Sequence, residues 1–493
     1  MPALTRLARY EQQLASATSY AEWREAAQAH DRASGASGWQ QRDASARYDF
    51  RSVRQRLDAL RQFRHQGDNV GLLYSLNEGV HGNLDGMGSS ALYRRARFGT
   101  KQLVDDYVAE VIAALQHLAS PAADDLPWAV RHDFFERAST CFGRSALMLS
   151  GSGSLFYFHV GVVKALWEQR LLPNVMCGSS GGALVASIAG THTDDELSRM
   201  FEPGFLLAEV QRETSLWQRI SALRPGSISP DGVRDMVERL VPDLSFQDAQ
   251  ARTGRKINIS IAPAERHQTS RLLNAIASPS VCLREALLAT MAVPGILPSV
   301  MLMAKGPHGE RLPYLENRRW VDGSVSDDLP TKRIARLYAV NHFIVSQTNP
   351  LVLPFLSASG GSGNGGALAR YRKALRRITL EVVDANLAAL EGPSQRHPTL
   401  ERWLTMTRSV INQRYTGDIN IFPDYRLVDP RKLMRLRTEA EVLTLIRGGE
   451  RATWEKLEMV RLQSAIGRTL DDIRAQHLVP GRVASTAPAA TPA

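Results

Sequence analysis

Cysteine is scarce here: Cys141, Cys177 and Cys282 are the only three in 493 residues. An odd, widely spaced set builds no disulfide framework and shows no metal-ligand spacing, so no metal site is expected and a reducing compartment fits best. Long apolar runs are missing too. The nearest candidate, Ala146 to Leu166, is interrupted by Gly151, Ser152, Gly153, Ser154, His159 and Lys164, which argues against a membrane-spanning helix. The opening stretch MPALTRLARYEQQLASATSY has no sustained apolar core and does not read as a signal peptide. A cytoplasmic protein with at most peripheral membrane contact is therefore expected. Aromatic residues are also few, at 7%, but 44% of the chain is apolar, enough for a large core and too much for global disorder.

The charge balance favours bases, 60 Lys+Arg against 50 Asp+Glu, a formal +10. Such a chain is drawn to anionic surfaces, either phospholipid or nucleic acid. Arg51, Arg54, Arg56, Arg61 and Arg64 interleave with Val53, Leu57, Leu60 and Phe63 at helix spacing. They read as the solvated face of a helix. No known nucleic-acid module accompanies them, so no nucleic-acid partner is expected.

Residues 1–135 read as a helical N-terminal domain, with further helix periodicity over about 12–30 and 100–118. Near Ser145 the texture changes. Short apolar runs at Ala146–Ser150, Val175–Cys177, Ile257–Ile261, Phe343–Ser346 and Ile419–Phe422 read as strands, with helical stretches between them. That alternation predicts an α/β fold with a mostly parallel sheet flanked by helices over 140–350. Residues 351–482 are expected to complete the fold, mostly as helix with a late strand. Within them, Ser357–Gly366 reads as a flexible linker. A basic helix pattern follows with Arg370, Arg372, Lys373, Arg376 and Arg377. The Ala/Pro/Ser/Thr-rich tail, 483–493, is expected to be disordered.

Chemistry concentrates at three places. Gly178-Ser179-Ser180-Gly181-Gly182 is a G-x-S-x-G string between a short apolar strand and a helix of small residues. In that setting a sharp turn exposes the central serine, Ser180, while Gly178 and Gly182 let strand and helix approach closely. Upstream, Gly151-Ser152-Gly153-Ser154 follows the first strand. Small residues there allow main-chain N–H groups to converge on a developing oxyanion. A phosphate-binding loop would need Lys after the second glycine and a dinucleotide fingerprint a third glycine at 156; Ser154 and Phe156 stand there instead. The third place is Trp320-Val-Asp-Gly-Ser324, which offers Asp322, beside Gly323, as a base for the serine. Asp327 and Asp328 compete with it. A Ser–His–Asp triad is the rival arrangement, with His342, His397 or His477 late enough in the chain to serve; His159 reads as a packing or loop-bracing residue.

Taken together, these strings resemble the patatin-like phospholipase family, whose members use a Ser–Asp dyad, a glycine-rich oxyanion loop and a later Asp-Gly motif. The resemblance implies Ser180 as nucleophile, Asp322 as base and the 151–154 loop as oxyanion donor, with no organic cofactor and no metal. The branch with fungal and plant triacylglycerol lipases is closer still. Its extra N-terminal region, of the DUF3336 type, is similar to about 14–120 here, through Ser19-Tyr-Ala-Glu-Trp23, Tyr48-Asp49 and Gly99-Thr-Lys101. Phe158-His159-Val-Gly-Val-Val-Lys164 and Gly417-Asp-Ile-Asn-Ile421 also match that branch. This chain departs from the family at Ser152 and Phe156, where glycine is common, and at Ser324. An H-x4-D string linked to acyl transfer in some members is not formed, since His81 and Asp85 stand one residue too close. What the resemblance implies is hydrolysis of triacylglycerol or phospholipid esters, with peripheral contact to a membrane or lipid-droplet surface. The alternative is a non-catalytic lipid-surface scaffold with a vestigial site.

Overall fold

The computed structural model describes residues 2–79, 84–202, 204–205, 208, 211–212, 230–265, 269–293, 297–323, 328–349, 416–424 and 438–477. The chain divides into two compact units. The first holds Met1–Ser145, Leu337–His342 and the chain from Trp454 onward; the second holds Ala146–Arg336 and Phe343–Thr453.

The first unit is helical, and its helices follow from local rules. Asp49 accepts hydrogen bonds from the N–H groups of Arg51 and Ser52 and so opens the helix Phe50–Gln66; Gly67, in a left-handed conformation, closes it. Val53, Leu57 and Leu60 recur on one face and are buried. Each contributes about 1.5–3 kcal/mol by leaving water. The arginines between them turn outward, as with Arg54 on Asp43 at 2.7 Å, a half-exposed pair worth at most about 1 kcal/mol. Burial of the apolar stripe therefore dominates. These residues join Tyr107, Val111, Phe134 and Phe135, and Leu462 and Ile466 from the helix Leu457–His477, in one core. The single helical pattern expected over about 12–30 is two helices, Pro2–Ser16 and Tyr20–Ser34. Ser19 forces the break. Its hydroxyl caps the N–H of Glu22, and the Glu22 carboxylate accepts the N–H of Thr18 at 2.9 Å.

A seven-stranded sheet, most of whose residues belong to the second unit, carries the candidate site. Its strands are β1 (Arg144–Leu149), β2 (Val175–Gly178), β3 (Lys256–Pro263), β4 (Arg271–Leu273), β7 (Trp320–Asp322), β8 (Val340–Ser346) and β9 (Ile419–Ile421), in the order β4-β3-β2-β1-β8-β9 with β7 also on β3. Strands β1, β2 and β3 run parallel, in the register Leu149↔Gly178↔Ile259, so their carboxyl ends share one edge. β9 runs parallel to β8, whereas β4 and β7 run antiparallel to β3. A separate hairpin pairs β5 (Leu302–Lys305) with β6 (Arg311–Tyr314). The sheet is thus mixed and mostly parallel, with helices Phe156–Glu168 and Gly181–Thr191 linking its central strands. No helix among the described residues is long and apolar enough to cross a membrane. The expected linker, the basic helix at 370–377, and the tail from Val483 lie outside the described residues.

One helix crossing in this unit tolerates no side chain at all. A Cβ on Gly161 would lie 1.9 Å from the carbonyl oxygen of Ile446, and one on Gly449 would lie 2.1 Å from that of Phe158. Helices Phe156–Glu168 and Glu439–Trp454 therefore touch backbone to backbone, with Lys164 paired to Glu450 beside the contact. Gly161→Ala should lower stability by about 1–3 kcal/mol, because backbone atoms cannot move aside as side chains do. A urea titration checks this. An unchanged midpoint would mean that the two helices do not meet at Gly161.

Candidate active site

The turn between β2 and the helix Gly181–Thr191 is tight by necessity. A Cβ on Gly178 would meet the amide nitrogen of Ala183 at 2.5 Å, and one on Gly182 would meet the carbonyl oxygen of Leu149 at 2.4 Å. Between them Ser180 takes φ +50° and ψ −126°. A non-glycine residue pays about 1–3 kcal/mol for such a conformation, so it persists only where its surroundings enforce it. They do so by hydrogen bonds. The Ser180 N–H donates to the Thr290 hydroxyl at 3.0 Å, and that hydroxyl donates to the Ser260 carbonyl at 2.7 Å. Ser180 is partly accessible, whereas Ser179 is fully buried.

Asp322 arrives in the same corner from another direction. It ends β7, opposite Ile261 in register, the residue after Ser260. Its N–H donates to the carbonyl of Ala292 at 3.1 Å, two residues beyond Thr290. Gly323 follows it because a Cβ there would lie 2.4 Å from the Ser260 carbonyl. The segment Thr290–Ala292 and strand β3 thus hold both Ser180 and Asp322.

The glycine-rich loop packs against the serine turn. A Cβ on Gly181 would meet the Ser152 hydroxyl at 2.4 Å and the Phe156 Cβ at 2.8 Å. Gly153, at φ +50°, opens a short 3₁₀ turn that leads into the helix Phe156–Glu168. The four loop residues do not play equal parts. Gly151 gives its N–H to the Asp328 carboxylate at 2.7 Å, so that donor is committed to the protein. Among the described residues no acceptor is paired with the N–H of Ser152 or Gly153, and the buried Ser152 hydroxyl has no partner.

Asp328 belongs to a second constellation, beneath the first. Besides Gly151 it accepts a hydrogen bond from the Ser179 hydroxyl and one from the Asn349 side chain at 3.1 Å. It is wholly buried. Asp327 lies outside the described residues. Both ring nitrogens of His342 are engaged, with Ser145 and Gln463, each at 2.8 Å. His397 lies outside the described residues. Among the described residues no group of three or more His, Cys, Asp or Glu side chains is arranged to hold a metal ion.

Two family profiles match this chain. The patatin-like phospholipase profile matches residues 147–334, and a domain of unknown function, DUF3336, matches 4–140. A protein of Meyerozyma guilliermondii described as patatin-like phospholipase domain-containing is 32% identical over 94% of this chain and 68% of its own length. The chain belongs to the patatin-like phospholipase family. Triacylglycerol lipase 4 of Saccharomyces cerevisiae is 34% identical over 97% of this chain and 54% of its own length. A Lodderomyces elongisporus relative is 30% identical over 94% and 59% respectively. The chain therefore spans between about half and two thirds of the length of these curated relatives.

In this family member the residue that ties the loop to the sheet is His159. Its ring is fully buried, with Nδ1 2.7 Å from the Ser346 hydroxyl and Nε2 3.1 Å from the Ser150 carbonyl and 2.9 Å from the Thr348 hydroxyl. A carbonyl only accepts, so Nε2 carries the proton and Nδ1 accepts from Ser346. Thr348 in turn donates its N–H to the Ser150 hydroxyl at 2.8 Å. Burial pushes the His159 pKa down from 6.5 to about 4, so the ring is neutral at neutral pH. Because the folded value lies below the unfolded one, unfolding takes up a proton between those two values. Stability is fully present above pH 6.5 and lost as pH falls toward 4, by up to about 3 kcal/mol. His159→Gln should flatten this loss. Urea unfolding of both proteins at pH 7 and at pH 4.5 measures it, and identical pH dependence would show that His159 does not titrate on unfolding.

Proposed function

We propose that this chain hydrolyses carboxylic esters of glycerolipids, triacylglycerol or phospholipid, through Ser180 as nucleophile and Asp322 as base. The observation that carries the reading is the backbone of Ser180. A strained, partly accessible serine at the strand-to-helix turn is what a nucleophile needs and what a structural serine has no reason to be. The relatives' descriptions as lipase and phospholipase-domain proteins supply the substrate class.

In this mechanism the Ser180 Oγ bonds to the ester carbonyl carbon while its proton passes to Asp322. The carbonyl oxygen becomes an oxyanion facing the N–H groups of Ser152 and Gly153 and that of Gly181 at the helix start. Collapse breaks the bond to the glycerol oxygen, which leaves with the proton from Asp322. Water then adds to the acyl carbon, gives a proton to Asp322, and releases the fatty acid as Ser180 regains its hydrogen. No metal or organic cofactor enters these steps. Docking is peripheral, on a membrane or lipid-droplet surface.

A second reading has its own observation, the direct contact between Ser179 and Asp328. That pair would be the dyad if Ser179 could reach substrate, but both side chains are buried. Fatty-acid release from emulsions of triacylglycerol, phospholipid and lysophospholipid separates the two. Ser180→Ala and Asp322→Asn should each cut kcat by a factor on the order of 10⁴ or more. Ser179→Ala should stay within about tenfold of wild type while losing about 1–3 kcal/mol of stability, because Asp328 loses a donor. The opposite pattern would transfer catalysis to Ser179. A folded wild type that binds the emulsions and releases nothing would instead support a lipid-surface scaffold.

A further inference from the structure

Between Val300 and Trp320 the chain leaves the sheet and returns to the same point. Each of these residues donates its N–H to the other's carbonyl, at 2.9 and 2.8 Å. The excursion between them is the β5–β6 hairpin and the turn over 315–319. It is firmly held. Leu302 is buried in the core, and Tyr314, opposite it, packs against the same core. Lys305 reaches Asp248 at 2.9 Å, and Arg311 reaches Asp243 at 2.6 Å and Glu285 at 2.8 Å. Two leucines on this anchored excursion nevertheless stand in water: Leu312 is 47% exposed and Leu315 is 43% exposed. Leu315 also takes φ +60°, a left-handed conformation that glycine or asparagine adopts readily and leucine does not. Its carbonyl accepts the N–H of Arg318 at 2.9 Å, which closes the turn. An exposed leucine held in an unfavourable backbone does nothing for folding, which points to a role outside it.

The sheet register fixes where this turn stands. Ile259 is level with Gly178, from which the serine turn starts, whereas Asp322 pairs with Ile261 and Trp320 with Pro263. At about 3.3 Å per residue, Trp320 lies roughly 13 Å past the strand ends that lead into Ser180, beyond the same edge of the sheet. The turn leads directly into Trp320. Its surroundings are basic. The Arg271 guanidinium lies 5.8 Å from the centre of the Trp320 ring, and Arg333 bonds to Ser270 beside it. With Arg318 and Arg319 they outnumber the neighbouring carboxylates of Glu265 and Glu316.

We propose that this turn and strand β6 are the surface by which the protein rests on an anionic phospholipid layer. Leu312 and Leu315 insert among the acyl chains, and the arginines sit among the phosphates. The inference rests on the reading that the substrate is a glycerolipid, and it assigns the contact with lipid to named residues. Leucine side chains gain by leaving water, and arginines bury their stems while their charged heads stay at headgroup level. Two leucines make too small an apolar patch for a stable protein interface, whereas a lipid layer surrounds each inserted side chain.

Cosedimentation tests this, with vesicles of phosphatidylcholine alone and of phosphatidylcholine and phosphatidylserine in equal parts. Wild type should bind the mixed vesicles roughly tenfold or more tightly than the neutral ones. Leu312→Ser combined with Leu315→Asn should weaken binding to mixed vesicles by roughly tenfold or more. Arg319→Gln should weaken it by roughly fivefold on mixed vesicles and hardly on neutral ones. Leu315→Asn alone separates docking from packing. It should raise the urea midpoint, because asparagine tolerates the left-handed backbone, and still weaken binding. A lowered midpoint with unchanged binding would show a packing leucine and overturn the proposal. So would equal binding of wild type to both kinds of vesicle, or variants that bind as wild type does. If the double variant does not fold, Leu315→Asn and Arg319→Gln decide alone. A dimer lost in the leucine variants, seen by analytical ultracentrifugation without any vesicle binding, would make the patch a contact between copies instead. None of these readings needs catalysis. A wild type that docks through these residues and releases no acid from the emulsions keeps the docking surface and loses the Ser180 reading.

Discussion

The backbone of Ser180 is the constraint around which the second unit is arranged. Its φ of +50° is unfavourable for a residue with a side chain, so the neighbouring structure must supply what the residue itself does not. Gly178 and Gly182 let the helix start almost on top of β1 and β2, where any side chain would collide with main-chain atoms. Thr290 holds the Ser180 N–H from the other side and is itself fixed to β3. Two main-chain contacts and one relayed hydrogen bond thus tie the strained residue to three parallel strands. Those strands are buried almost completely, which gives the turn a frame too rigid to relax.

The same frame separates two serine–aspartate relationships that the sequence leaves adjacent. Ser179 and Ser180 are neighbours, as are the motifs that bear Asp322 and Asp328. A turn this sharp sends successive side chains in different directions. Ser179 is turned inward onto Asp328, and Ser180 stays partly accessible. A carboxylate has about four lone-pair sites, and Gly151, Ser179 and Asn349 already occupy three of those on Asp328. It serves as a post that fixes the glycine loop to the elbow. Because Gly151 spends its N–H on that post, the loop N–H groups left without an acceptor among the described residues are those of Ser152 and Gly153.

Much of this was legible in the residues. Five of the sheet strands show as short apolar runs, and the small residues after Ser180 imply a closely packed helix. Other parts were not. β4 and β7 are three residues long, too short for any periodicity, and they exist because β3 offers a free edge. Thr290 and Asn349 give no local signal, since their importance comes from partners 30 and 21 residues away in sequence. Asp328 was visible only as a competitor to Asp322, because a string cannot say which carboxylate the buried Ser179 meets. The break at Ser19 was readable in principle from Ser19 and Glu22, but the amphipathic pattern on both sides of it hides the cap. What sequence reports well is chemistry whose reason is local; what it hides is chemistry assembled across the sheet.

His159 shows how the second category supports the first. It sits one turn into the helix that follows the glycine loop, and its ring reaches back to the carbonyl of Ser150, at the root of that loop. Its other nitrogen holds Ser346 at the end of β8, and Thr348 closes the circuit onto the Ser150 hydroxyl. Each hydrogen bond is modest alone, about 1 kcal/mol net, but every member is buried, so breaking one leaves another unsatisfied. The loop is consequently held from below by a neutral histidine and from the side by a carboxylate. A loop fixed at both points keeps its remaining N–H groups in place, and under the proposed ester hydrolysis such donors would need no reorganisation when charge develops on the ester oxygen.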